Sequence, residues 1–272
     1  FPDDRADLLN AGDYEFGYPR ILTGRGCPFK CSFCSTATFT GRRLRQRRIA
    51  KVVEEVLFYW RTYGIRHLTF DDDIFTVRRK RTLELCAALS AAACAGEIEW
   101  GCNTRMDCID EELIDAMHRA GCRWILFGIE SGDAQVQQRF GKGRRSLVRF
   151  REKLEHLIAR GIEPQLNFIL GLPGENRASL RQILSLTGGL HPVSCTFNFL
   201  NVFPGTPLAD QMHDLGIRLV GPSPRDRYSL TAPTLSTPTM SNEEQAAAYL
   251  ELQWTRKRER AAWEDRQRSI AC

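Results

Sequence analysis

The sequence predicts an α/β fold, a partial (β/α)6 barrel with a helical C-terminal extension. Three observations carry that expectation. Six short strand-like runs alternate with helical apolar patterns between residues 19 and 215, and repeated βα units imply a parallel sheet with right-handed crossovers. No dinucleotide-binding glycine fingerprint follows the first strand, which favours a partly open barrel over its competitor, a doubly wound sheet. The polar, acidic and glycine-rich positions fall at the C-terminal ends of the strands, where βα folds place their chemistry.

The elements follow in order. Residues 1–18 are polar, with Gly and Asp punctuation, and read as a linker or lead-in. A first strand over 21–23 runs into Gly24-Arg25-Gly26-Cys27-Pro28, where Gly and Pro force a loop. A helix over 49–63 presents Val53, Val56, Leu57 and Trp60 at helical spacing and stops at Gly64. Strand two, 67–70, ends in Asp71-Asp72-Asp73, and a helix over 78–93 carries Leu83, Cys86, Ala87 and Leu89. Strand three, 98–103, precedes a helix over 110–120 that Gly121 stops. Strand four, 124–129, ends in Glu130-Ser131-Gly132; a Gly/Lys/Arg loop leads to a helix over 146–160. Strand five, 165–170, ends in Gly171-Leu172-Pro173-Gly174-Glu175, before a helix over 176–187. Strand six, 195–200, ends in Phe203-Pro204-Gly205-Thr206. Residues 218–240, rich in Pro, Ser and Thr, read as a covering loop or extended tail. A charged helix over 241–266 starts with Ser241 as N-cap and Glu244 three residues on, with Trp254 and Trp263 as its anchors. The organisation expected is a lead-in at 1–18, a core at 19–215 and a loop-and-helix extension at 216–272.

A chain of 272 residues can bury roughly 70–75% of its unfolded surface, so it needs neither disulfides nor a structural metal to make a core. Hydrophobic residues at 43% and charged residues at 26% exclude general disorder and a fibrous repeat. No apolar run approaches the length of a membrane span, and no signal peptide is visible. The 38 basic residues exceed the 33 acidic ones by a margin too small to signal nucleic acid. The basic run Arg42, Arg43, Arg45, Arg47, Arg48 and Lys51 reads as a solvated loop and helix start, with contact to phosphates or an acidic partner as the alternative. Ten cysteines without an export signal place the chain in a reducing cytoplasm. Seven of them are scattered singly and read mostly as small core residues. The chain starts at Phe1 rather than Met, so a preceding segment is expected.

The other three cysteines form the pattern C-x3-C-x2-C at Cys27, Cys31 and Cys34. Three thiolates on one loop can hold three irons of a 4Fe-4S cube and leave the fourth open to a chelating small molecule. The glycines before Cys27 let the backbone wrap closely, and its N–H groups can donate to the sulfides. A zinc site would want a fourth ligand, for which Cys102 or His67 could serve. Pro28 and the preceding glycines argue against a helix through the motif.

The segment Ile21-Leu22-Thr23-Gly24-Arg25-Gly26-Cys27-Pro28-Phe29-Lys30-Cys31-Ser32-Phe33-Cys34 resembles the radical S-adenosylmethionine (radical SAM) superfamily. Its closest likeness is to the branch that carries a cobalamin-binding domain ahead of the core. The resemblance spans about residues 5–215 and rests on several motifs in order. It implies a partial barrel of the radical SAM type, with Cys27, Cys31 and Cys34 holding a single 4Fe-4S cluster whose open iron takes the amino and carboxylate groups of SAM. An electron then cleaves the sulfonium to a 5′-deoxyadenosyl radical, which abstracts a substrate hydrogen. Phe33 would shield the cluster and contact the adenine. Asp71, Asp72 and Asp73 would meet the methionine amino end, and Asn103 and Arg105 would close the strand-three end, with Arg105 on the SAM carboxylate. Glu130 and Ser131 would hold the ribose or methionine, Gly171 and Pro173 would lie by the adenine, and Phe203 to Pro207 would line the mouth.

The reaction this implies is cobalamin-dependent C-methylation of a small-molecule or natural-product intermediate. A radical cyclase or rearrangement enzyme of the same branch is an alternative. A methylthiotransferase on RNA or protein is favoured by the basic run but lacks an evident RNA-binding domain and a second three-cysteine cluster. A non-enzymatic zinc or Fe–S scaffold is the reading from another class. No D-x-H-x-x-G cobalamin-ligand motif occurs in the sequence, so a cobalamin-binding domain or chain would come from outside these residues. The other partners expected are a small-molecule substrate and an electron donor such as flavodoxin or ferredoxin, with nucleic acid unexpected.

Overall fold

The first βα unit is the most elaborate of the molecule. In the computed structural model, which describes residues 19–142, 147, 149–220, 228–229 and 232–271, strand β1 (Arg20–Ile21) leads into β2 (Gly24–Arg25). Strand β2 pairs antiparallel with β3 (Arg45–Gln46) across a loop that carries the short helix α1 (Thr36–Phe39). Helix α2 (Ile49–Tyr63) follows, and its chain reverses at Gly64, whose φ of 62° is the left-handed conformation that favours glycine. The lead-in expected at 1–18 lies outside the described residues.

Regular alternation then sets in: β4 (His67–Phe70), α3 (Arg79–Ser90), β5 (Glu99–Thr104), α4 (Glu111–Arg119) and β6 (Cys122–Glu130). Two helices, α5 (Ala134–Arg139) and α6 (Phe150–Ala159), separate β6 from β7 (Glu163–Leu170), and α7 (Arg177–Thr187) precedes β8 (Ser194–Phe199). The sheet order is β1-β4-β5-β6-β7-β8 with every pair parallel. A doubly wound sheet reverses its strand order at a switch point; this one does not. The sequential order is that of the expected partial (β/α)6 barrel, open between β1 and β8.

Strand periodicity decides what the sheet presents on each face. Leu166, Phe168 and Leu170 of β7 and Ile125, Phe127 and Ile129 of β6 are buried and join one apolar cluster with Leu154 and Leu157 of α6 and Leu180 and Ile183 of α7. The alternate residues Leu126, Gly128, Glu130, Gln165, Asn167 and Ile169 are only half-buried. Cys86, Cys94, Cys102 and Cys122 are buried, as expected of small core residues. A second, smaller apolar cluster lies past the C-terminal strand ends and contains Phe33, Val136, Phe140, Leu172, Leu200 and Leu208.

After β8 come α8 (Pro207–Asp210), the antiparallel pair β9 (Arg218–Leu219) and β10 (Leu235–Ser236), and α9 (Asn242–Ala271). The expected covering loop at 218–240 therefore begins and ends as a ladder; residues 221–227 and 230–231 within it lie outside the described residues. The capping box at the start of α9 is present: Glu244 N–H donates to Ser241 Oγ at 3.2 Å and Ser241 N–H to Glu244 Oε2 at 2.8 Å. Trp263 stacks on His191 at 5.6 Å, but Trp254 is 63% exposed and anchors nothing; buried Arg256 does that work through the carbonyls of Thr187 and Val193. Among the described residues no helix is long and apolar enough to cross a membrane.

Candidate active site

The β2–β3 pair closes residues 26–44 into a loop at the C-terminal end of β1, and that loop holds Cys27, Cys31 and Cys34. Backbone contact from three sides fixes it. Cys27 N–H donates to Gly41 O (3.2 Å), Ser32 N–H to Phe140 O (3.1 Å), and Leu208 N–H to Ser32 O (3.0 Å). Two glycines make the approach possible: a Cβ on Gly26 (φ 99°) would stand 2.3 Å from Arg43 O, and one on Gly141 (φ 81°) 2.6 Å from Lys30 O. Arginines of the basic run donate to carbonyls of this region: Arg42 to Phe29 O, Arg45 to Thr40 O and Arg47 to Leu22 O. Arg47 also pairs with Glu55. The run is thus a set of braces on the cysteine loop as well as a solvated surface.

The three consecutive acids divide their work. Asp72 is buried and accepts both the N–H and the hydroxyl of Thr23 at 2.6 Å; burial pushes its pKa up against those bonds. Asp73 Oδ2 accepts from Gly26 N–H (3.3 Å) and Thr40 Oγ1 (3.1 Å). These two carboxylates therefore tie β4 to the cysteine loop. Asp71 stands apart, paired with Arg20 and accepting from Asn103 Nδ2 at 3.2 Å.

The thiols stand in unlike surroundings. Burial raises the pKa of Cys27, and the neighbouring thiols and Asp73 add to the shift. Burial also raises that of Cys31, but Lys142 and Arg105 pull the other way. Cys34 Sγ lies 3.2 Å from Thr36 Oγ1. Among the described residues no three His, Cys, Asp or Glu side chains converge on a site for a single ion. The proposed fourth zinc ligands lie elsewhere: Cys102 is buried in the sheet, and His67, at the opposite end of β4, pairs with Glu99. A cube asks something different of its ligands, which must stand on separate corners rather than meet at a point. Three soft thiols on one tightly wrapped loop, with two cations beside them and an apolar cluster under Phe33, could hold such a group.

The sequence profile of the Radical SAM superfamily matches residues 21–187. The chain belongs to the radical SAM superfamily. Among its relatives is a protein of Pyrococcus horikoshii named an uncharacterized methyltransferase, 30% identical over 74% of this chain and 43% of that protein. Another is the anaerobic magnesium-protoporphyrin IX monomethyl ester cyclase of Cereibacter sphaeroides, 29% identical over 70% of this chain and 31% of the cyclase. This radical SAM chain thus spans less than half the length of the two. In fold it is similar to the radical SAM methyltransferase TsrM of Kitasatospora setae, solved with tryptophan and a SAM analogue. That likeness has a TM-score of 0.65 and 21% identity over 79% of this chain and 43% of TsrM. The cobalamin-dependent SAM radical enzyme OxsB gives 0.66 and 17%, over 91% of this chain and 42% of OxsB.

The remaining motif residues of this radical SAM core sit past β6 and β7. Pairing between those strands shifts register after Gly128, and Glu130 adopts φ 69°, uncommon for a residue with a side chain. Its carboxylate pairs with Lys142 at 3.0 Å, and Lys142 Nζ also donates to Gly128 O at 2.6 Å. Ser131 is fully buried and donates to Glu175 Oε1 at 2.6 Å. Glu175 Oε2 accepts the N–H groups of Gly171 (3.0 Å) and Leu172 (3.2 Å), so one carboxylate joins the β6 and β7 turns. Burial pushes Glu175 up to about 8 despite those bonds. Gly171 has φ 89°, and a Cβ there would meet Gln245 of α9 at 2.3 Å. On the side where a Cβ would stand, this glycine admits the C-terminal helix. Pro173 is buried beside it, and Phe33 lies within the second apolar cluster.

Sequence reasoning missed Lys142, Asp107, whose carboxylate pairs with Arg105 at 2.7 Å, and the linking role of Glu175. Lys142 sits in a stretch crowded with Gly, Lys and Arg, where nothing marks it as the one whose side chain is 6% exposed. Phe203, at the expected mouth, is 36% exposed and stacks on Tyr228 with centroids 5.5 Å apart.

Proposed function

We propose that this chain is the radical core of an enzyme of the cobalamin-linked radical SAM branch, and that it methylates an unactivated carbon of a small-molecule substrate. The observation that carries the reading is the loop of Cys27, Cys31 and Cys34, braced at the C-terminal mouth of a partial barrel. In this reading the three cysteines hold a 4Fe-4S cluster. When bound, the cluster with SAM supplies the electron transfer that generates an adenosyl radical.

The chain's own residues do the rest. Asp72 and Asp73 hold the loop in register with β4, and Asp71 with Asn103 offers a carboxylate toward an ammonium. Glu130 offers acceptors for hydroxyl groups or an ammonium. Ser131, Glu175, Gly171 and Pro173 shape the wall of the SAM pocket. Phe33 and its apolar neighbours keep water from the thiols. The cobalamin would come from a domain or chain outside these residues. The fold likeness to TsrM and OxsB and the names of the relatives support this branch. The likeness to the cyclase supports a second reading, in which the substrate radical closes a ring instead of receiving a methyl group.

The test is anaerobic reconstitution of the chain with iron and sulfide. About four irons per chain and reductant-dependent release of 5′-deoxyadenosine from SAM are expected. Bound zinc without that release would overturn the reading. Product mass, measured with the cobalamin-binding partner present, separates methyl addition from ring closure.

A further inference from the structure

Arg105 stands just past β5 and is only 3% exposed. A guanidinium carries five N–H groups, and four hydrogen bonds to protein atoms engage these. Nε and Nη2 donate to the Asp107 carboxylate at 2.8 and 2.7 Å, Nη2 also donates to Lys142 O at 2.5 Å, and Nη1 donates to Cys31 Sγ at 3.4 Å. The guanidinium lies 3.9 Å from the centroid of the Phe29 ring, so one buried cation touches the cysteine loop at two places. The other two thiols lack this cation: Cys34 meets a threonine hydroxyl, and Cys27 meets the backbone N–H of Phe29, with the neighbouring thiols and Asp73 opposing it. The commitment also leaves too few N–H groups for the paired, parallel bonds that an arginine makes to a free carboxylate. The role expected from resemblance, pairing with the SAM carboxylate, fits this geometry poorly.

We infer that Arg105 is a positioning residue for Cys31: its Nη1–H holds the thiolate sulfur in the orientation the cluster needs and draws electron density from it, making the cluster easier to reduce. The inference rests on the proposed reading of Cys31 as a cluster ligand. A donor N–H on a ligand sulfur stabilises the added electron, because reduction increases the negative charge on the cluster and its ligands. Asp107 locks the guanidinium plane, so the direction of the N–H does not depend on SAM. The effect is therefore present in the SAM-free state.

The experiment is a redox titration of the anaerobically reconstituted chain, followed by electron paramagnetic resonance without SAM, in wild type, Arg105→Met, Arg105→Lys and Asp107→Asn. Arg105→Met should retain iron, but its ratio of reduced to oxidised cluster at the wild-type midpoint should fall about tenfold, a 59 mV negative shift for one electron. Arg105→Lys keeps the charge without the fork and should fall between. Asp107→Asn removes the carboxylate that locks the guanidinium plane and should move the midpoint in the same direction as Arg105→Met, but by less. This gives a reading even if Arg105→Met fails to fold. SAM affinity by equilibrium dialysis should change less than threefold in Arg105→Lys. Unmoved midpoints across the folded variants would overturn the inference, as would a tenfold loss of SAM affinity in Arg105→Lys with its midpoint unchanged, which makes Arg105 a SAM ligand. A wild-type chain that takes up no iron overturns the cluster reading itself, a result distinct from a wild-type cluster whose midpoint ignores Arg105.

Discussion

The two ends of the β5–β6 pair are built from the same strands and differ in almost everything else. Toward the N-terminal end, Trp100 is buried, its Nε1–H is satisfied by Ala120 O at 2.7 Å, and its ring packs against Phe70 and Phe75. Gly101 lies so close under the Trp124 indole that a Cβ would stand 1.9 Å from it. Toward the C-terminal end, Arg105, Asp107, Glu130 and Lys142 are withdrawn from solvent in paired charges around Cys31. Buried ion pairs are a poor device for stability, since desolvation offsets most of their attraction. Their concentration at one end indicates that this end is organised for chemistry and the other for holding the sheet together.

The largest effect that sharpens this contrast belongs to the mouth. Cys31→Ala is expected to abolish deoxyadenosine release, a loss of at least about a thousandfold, since the proposed cluster would lose one of three protein ligands and with it the electron transfer to SAM. It should lower stability by less than about 1 kcal/mol, because the thiol is half-buried on a loop. Iron content, turnover and urea midpoints check both halves of the prediction. A large loss of stability would show that the mouth also carries the fold.

Gly101→Ala should do the reverse. Its Cβ cannot coexist with the Trp124 ring, so the strand pair must part or the indole must leave its site. The expected cost is about 2–3 kcal/mol, at the upper end for overpacking. Iron bound per folded molecule should be unchanged. An unaltered midpoint would mean that the base of the pair is looser than its contacts imply.

Glu175 sits between these extremes, buried like the base and ionisable like the mouth. Its folded pKa of about 8 lies above the ordinary 4.5, so the native state holds a proton that the unfolded chain releases. Its contribution is fully present below about pH 4.5 and is lost as pH rises through 8. Urea midpoints should therefore fall between pH 5 and 8 by more in the wild type than in Glu175→Gln, which cannot ionise. Parallel pH profiles for the two would place the titration elsewhere.

The same contrast explains what could be read from the sequence. The six strands of the main sheet and the helices between them were legible, because each buries one face and its periodicity records that burial: the burial alternation of β7 follows directly from Pro164, Leu166, Phe168 and Leu170. The cysteine loop was legible because three cysteines in eight residues are rare by chance. The contacts that organise the mouth were not. That Asp72 clamps Thr23 while Asp71 faces Asn103 depends on pairings 49 and 32 residues apart, and local spacing carries no record of them. The β2–β3 pair is only two residues long on each side, too short for any periodicity. The inward turn of Arg42, Arg45 and Arg47 was hidden by composition, since a basic run looks the same whether it meets water or carbonyl oxygens.

The smallest effect tests whether the C-terminal extension belongs to either end. Ser241 and Glu244 form a reciprocal cap on α9, legible from sequence as a serine followed three residues later by a glutamate. Four residues beyond Ser241, Gln245 presses on Gly171 and donates to Leu235 O at 3.0 Å, so the first turn of α9 rests on the turn that Glu175 organises. Ser241→Ala should cost about 0.5–1 kcal/mol, the usual worth of an exposed N-cap. If α9 serves only as cover, the loss should appear in the urea midpoint, with SAM affinity unchanged. If it positions the β7 turn, SAM affinity should weaken severalfold at a temperature where the protein is still folded. The cap has no contact with the cysteine loop, so only the second outcome would extend the mouth to include this helix.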